Sequence, residues 1–126
     1  MTRAGGEPAP AGPAPRPLWR GAVAWADLSP GRGREQDGRR PVLVVASCGY
    51  LETVTTLVVV LPVTTVDRGR PNHVLLRGRT GLDRPSWAMT EQVRTLTRDR
   101  LSAPVGVADD ATLAEVDVYL RDALGL

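Results

Sequence analysis

The chain has 126 residues and a formal net charge of +2. That is length enough for one domain with a true core, and too little charge to argue nucleic-acid binding from bulk electrostatics. All 16 basic residues are arginine, and the single cysteine, Cys48, excludes an internal disulfide and any CxxC metal or redox pair. Such cysteine usage fits a cytoplasmic protein. The lack of lysine, beside abundant Ala, Gly and Pro, reads as codon bias in a GC-rich genome.

Residues 1–17 are mostly Ala, Gly and Pro. They lack the apolar core of a secretory signal and bury too little to fold, so a disordered tail is expected there, with one barrel domain over 18–126. No apolar run reaches the roughly 18 residues of a membrane span. Val23 and Trp25 alternate with alanines and predict a first strand ending at Leu28-Ser29-Pro30. A polar loop over 31–40 follows, and Pro41 launches a second strand over 42–45. The proline ring clashes with a helical predecessor and forces Arg40 into extended backbone. Arg40 is thereby held at a strand mouth beside Glu35, Gln36 and Arg39. Guanidinium matches phosphate bidentately, so this stretch is a candidate phosphate site.

Residues 47–50 read as a connection, and strands are predicted over 55–62, 72–76, 86–95 and 103–107. The second and third are apolar on both faces of the pleat, which suits a closed barrel under a further layer or a partner subunit. Short strands with turn residues between them predict a small barrel. Near the end the period changes. Asp109 can cap a helix, and Asp110 sits near its positive end. Leu113, Val116, Leu120 and Leu124 form an apolar stripe, and Gly125 is placed to stop it. The expectation is a mainly β fold with a C-terminal helix.

Arg20-Gly21, Asp27-Leu28-Ser29-Pro30, Gly33…Glu35-Gln36…Gly38…Arg40-Pro41, Pro62-Val63-Thr64-Thr65, Pro71-Asn72-His73-Val74, Ser86-Trp87-Ala88, Glu91-Gln92-Val93-Arg94-Thr95 and Leu113-Ala114-Glu115-Val116-Asp117 occur in that order. With their spacing, the chain from about Arg20 to its end resembles the MazF/PemK toxins of bacterial toxin–antitoxin pairs. The resemblance implies an SH3-like barrel, related to that of CcdB, in a two-fold dimer. It also implies cofactor-free, metal-independent, sequence-selective cleavage of single-stranded mRNA to a 2′,3′-cyclic phosphate and a 5′-hydroxyl. A MazE-like antitoxin lying in the RNA groove is the implied partner.

RNA supplies its own nucleophile, the 2′-hydroxyl, so the protein must align it, stabilise charge on phosphorus and move protons. By resemblance Arg40 stabilises that charge and Thr64 donates to the same phosphate; otherwise Thr64 is an ordinary strand-end threonine bonded to backbone. Glu35 is the candidate proton acceptor or an organiser of Arg40, with Glu91 as the competing acid/base or a cross-strand partner of Arg94. Arg34, Gln36, Arg39, His73, Glu91, Gln92 and Arg94 are candidate RNA contacts. A lone histidine excludes a two-histidine mechanism and is too little for a metal cluster. Trp87 reads as core rather than as a base-stacking platform, and Cys48 as a half-buried small residue. Two departures from the family pattern are Arg34, where a small residue is common, and Pro85, where an acid is common. The competing reading is a protein-binding module or a gyrase-inhibitor-like toxin of the same fold.

Overall fold

A computed structural model describes residues 17–28 and 38–126. The expected tail falls outside these residues except for Pro17, and so do Arg34, Glu35 and Gln36. The strands are β1 (Ala22–Asp27), β2 (Arg39–Val44), β3 (Leu57–Thr64), β4 (His73–Leu75), β5 (Trp87–Met89), β6 (Arg94–Thr97) and β7 (Gly106–Val107). The helices are α1 (Cys48–Thr53) and α2 (Asp110–Leu124).

β1, β2 and β3 form an antiparallel meander with Val23 opposite Leu43 and Leu43 opposite Leu61. The other edge of β3 serves two partners in turn. Leu57 to Val60 pair with β6, while Val63 and Thr64 pair with β5, which pairs on to β4. After β6 a 3-10 turn, Arg98–Arg100, redirects the chain. Leu101 then bridges Ala26, the Ser102 N–H donates to the Trp25 carbonyl at 2.7 Å, and β7 pairs with β1. One continuous segment thus joins β3 to β1 and closes a small SH3-like barrel, which leaves few unpaired edges.

The pleat divides the apolar residues into two cores. Ala22, Ala24, Ala26, Val42, Val44, Val58 and Val60 face the barrel interior with Leu96 and Leu101. Val23, Leu43, Leu61 and Val63 face outward and are covered by Val116 and its neighbours on α2. This is why β2 and β3 carry no polar face. Each fully buried Val or Leu side chain contributes about 1.5–3 kcal/mol.

α2 starts and stops where its sequence indicates. The Asp109 side chain accepts from the Thr112 N–H at 2.9 Å, and Gly125 takes left-handed backbone at φ 72°. Arg20 fastens the helix to the barrel, donating to Asp117 at 2.5 Å and to the Val45 carbonyl at 3.0 Å. Arg77 does the same from the end of β4, pairing with Glu115 at 2.6 Å.

Several expectations need correction. Residues 47–50 are not a plain connection: Ser47 caps α1, accepting from the Tyr50 N–H at 3.0 Å. Arg98 closes the other end of α1, donating to the carbonyls of Leu51 and Val54, which a helix terminus otherwise leaves unsatisfied. Residues 86–95 are not one strand but β5 and β6, parted at Thr90–Val93, because β3 offers its edge to both in succession. Cys48 is exposed rather than half-buried. Pro85 leaves no frayed edge, since β5 lies between β3 and β4 and begins beyond it, at Trp87.

Candidate active site

Arg40 lies within β2, opposite Ala26, rather than in the loop before it. The β2–β3 register runs through Val44↔Val60, Leu43↔Leu61 and Val42↔Pro62. Continuing it by two residues brings Arg40 opposite Thr64, the last residue of β3. Pro41 and Pro62 have no N–H to donate, so the hydrogen-bonded ladder stops there. Past that point β3 bonds instead to β5 on its other edge, with Thr64 opposite Trp87. Two residues far apart in sequence thus come to the same pleat face of neighbouring strands, where β2 and β3 part.

Thr64 is nearly buried, and its Oγ1 accepts from the Val66 N–H at 3.1 Å. The ordinary role of a strand-end threonine is therefore present, yet it uses only acceptor capacity. Its O–H proton has no acceptor among the described residues, so its donor capacity is unused among them. The backbone contact also orients the hydroxyl.

Residues paired directly across antiparallel strands share a face. Ala26, Arg40, Thr64, Trp87 and Leu75 therefore form one row across β1, β2, β3, β5 and β4, on the side away from α2. Trp87, read from sequence as core, is half-buried and belongs to neither core. Its alternation with Ala88 signalled the strand but not which face would be open.

A second polar group surrounds Glu91, just past β5. Its Oε1 accepts from the Asn72 amide at 3.0 Å, and its Oε2 lies 3.0 Å from His73 Nε2 and 3.4 Å from the Gln92 amide. Arg70 stands 3.8 Å away. Burial raises the Glu91 pKa, but the His73 hydrogen bond, its own backbone N–H, the charge of protonated His73 and the Gln92 amide outweigh burial. The carboxyl is held below its ordinary value of 4.5. Glu91 is thus not the cross-strand partner of Arg94, which lies opposite Val60 in β6.

His73 needs a further correction. Its side chain is only 2 % exposed, and Nδ1 is buried without a partner. Because Nε2 faces a carboxylate, the proton of the neutral ring belongs on Nε2. The ring holds Glu91 and is not itself presented to a ligand. Gln92 is half-buried against Glu91 and the Met89 sulfur. Arg94, in β6 opposite Val60, shares the sheet face of Thr64 but stands at the level of a residue four earlier in β3, about 13 Å away at strand rise.

Arg39 points to the opposite face from Arg40. Its guanidinium sits 5.9 Å from the Trp25 ring centroid, at the outer reach of a cation–π contact. Beside it opens a cleft of about 500 Å³ walled by Asp27, Thr97, Asp99, Arg100 and Ser102. The structure therefore places Arg40, Thr64 and Trp87 on one sheet face and groups His73, Glu91 and Gln92 separately. Arg39 lies on the far side of β2.

Comparison with known proteins identifies the family to which this fold belongs. Residues 19–124 match the family described as PemK-like, MazF-like toxin of type II toxin–antitoxin system. Endoribonuclease EndoA of Bacillus subtilis is 37 % identical over 109 residues, covering 85 % of this chain and 94 % of that protein. MazF from Deinococcus radiodurans superposes with a TM-score of 0.76 at 33 % identity, covering 86 % of this chain and 97 % of the other. A MazE–MazF structure from the same organism gives 0.70 at 32 % identity, covering 86 % and 96 %. With a family match across nearly the whole described length and the same barrel and helix, the chain belongs to the PemK-like, MazF-like toxins of type II toxin–antitoxin systems.

Proposed function

We propose that this protein is the toxin of a toxin–antitoxin pair and acts as a sequence-specific endoribonuclease on single-stranded mRNA, without a metal or other cofactor. The observation that carries this reading is Arg40 and Thr64 on one pleat face at the parted end of β2 and β3, with no described residue accepting the Thr64 proton. The RNA 2′-hydroxyl attacks the adjacent phosphorus, and the bond to the 5′-oxygen breaks. A 2′,3′-cyclic phosphate and a 5′-hydroxyl result. Arg40 stabilises the charge that builds on the phosphorane oxygens, because guanidinium stays protonated at any working pH. Thr64 donates to one of them.

A proton must leave the 2′-hydroxyl. Glu91 is a weak acceptor for it, since Asn72, His73 and Gln92 already engage its oxygens and hold its pKa low. Glu35 is the acceptor in this reading. Arg34, Gln36 and Arg39 are RNA contacts in this reading. The working form is a two-fold dimer in the cytoplasm, silenced by a MazE-like antitoxin whose flexible segment fills the RNA groove. The MazE–MazF complex of the Deinococcus relative supports that partner.

The test is cleavage of a long single-stranded RNA in excess EDTA, mapped by primer extension, with Arg40→Ala and Thr64→Val alongside. Discrete cuts by the wild type are expected, slowed by about 10²–10³-fold in each variant, the cost of removing one charge-stabilising donor. No cuts by the wild type, or cuts unchanged in both variants, would reject the assignment and favour a protein-binding role.

A further inference from the structure

We propose that the Trp87 indole is the platform on which the base beside the scissile phosphate stacks, making Trp87 an RNA-binding residue of this protein. The inference rests on the ribonuclease reading and adds to it. Trp87 pairs directly with Thr64 and so projects from the same pleat face. One strand spacing, about 4.8 Å, separates the two backbones. A nucleotide whose phosphate rests between Arg40 and Thr64 therefore brings its base toward the indole.

Among the described residues the side chain belongs to neither core. The core that lies beneath β5 takes Ala88, with Val63 and Val74, from the opposite pleat face. The Trp87 indole N–H makes no hydrogen bond to any described residue, although a tryptophan committed to a core usually finds a partner for that group. On its other flank stands Leu75, 39 % exposed, which continues the apolar floor. The row thus runs from cation to hydroxyl to aromatic ring to aliphatic side chain. That order matches phosphate followed by base. Stacking on a π-face tolerates every base but favours the larger purine rings, so the platform sets affinity first and preference second.

The experiment uses an RNA oligonucleotide spanning the wild type's mapped cut site, with a 2′-deoxy sugar at the scissile nucleotide to block attack. An abasic residue is placed at each position in turn, and binding is measured for the wild type, Trp87→Val and Trp87→Phe. One abasic position adjoining the cut should weaken wild-type binding by about 5- to 150-fold, the equivalent of one base–aromatic stack. The same abasic residue should cost Trp87→Val less than about 2-fold, because a coupled pair is not lost twice. Trp87→Phe should retain most of the sensitivity.

A wild type with no sensitive position beside the cut would overturn the platform, and that arm decides even if Trp87→Val does not fold. So would a Trp87→Val profile identical to the wild type, including the case where that variant instead alters subunit or antitoxin association. Failure of the wild type to cut the all-ribose parent RNA would overturn the nuclease reading and the platform together. Cleavage with a flat abasic profile would overturn the platform alone.

Discussion

Glu91 shows how a carboxylate that looks catalytic in sequence can be engaged by its neighbours in space. Three side chains hydrogen-bond it and its pKa lies below 4.5. A group whose folded pKa is depressed adds stability that is complete above the unfolded value and lost as pH falls through the folded one. Wild type should therefore be more stable than Glu91→Gln at pH 7, and the gap should close as pH falls below about 4.5. With the side chain one-third exposed, solvent screening limits the difference at pH 7 to under about 1 kcal/mol. Urea midpoints at pH 7 and pH 3.5 would check this; a gap of equal size at both values would contradict it.

Among the elements, the loop after β4 is held by backbone contacts as well as by the Arg77 pair with Glu115. The Val107 N–H donates to the Arg79 carbonyl at 2.9 Å, and the Asp109 N–H to the Arg77 carbonyl at 2.8 Å. Gly81 sits in left-handed backbone at φ +75°, and a Cβ there would lie 2.2 Å from the Val105 carbonyl oxygen. Gly69 has a similar φ of +68° with nothing within 4 Å of such a Cβ. Gly69→Ala should thus cost only the backbone strain, about 1–2 kcal/mol. Gly81→Ala adds a clash with immovable backbone and should cost clearly more. Thermal denaturation of the two variants checks the close approach, and equal losses would argue against it. This contact also seats α2, because Asp109, which caps the helix, follows directly on β7.

For the whole molecule the small net charge matters less than where the arginines sit. Arg40 and Arg39 leave opposite faces of one strand end, so an RNA passing over that rim meets both only if it wraps it. RNA affinity should fall with salt at a log–log slope of roughly −0.7 per phosphate contacted. Arg39→Ala should flatten the slope by about 0.7 if Arg39 holds one phosphate. A slope unchanged by that substitution, measured by titration at several salt concentrations, would place the RNA on the Arg40 face alone.

By itself the sequence determined what depends on neighbours along the chain. Pro41 set the extended geometry of Arg40, Asp109 and Gly125 bounded the last helix, and alternation with two apolar faces announced buried strands. Its motifs also carried the family resemblance. Only the tertiary structure decided which residues meet. The β2–β3 register sets Arg40 against Thr64, and a shift of one residue would have turned one of them to the other face. The choice of β5 as the next partner of β3 makes Trp87 a neighbour of Thr64 rather than part of a core. The fold also buries His73 behind Glu91. Side-chain period is local, whereas strand pairing joins segments tens of residues apart, and no local pattern specifies it.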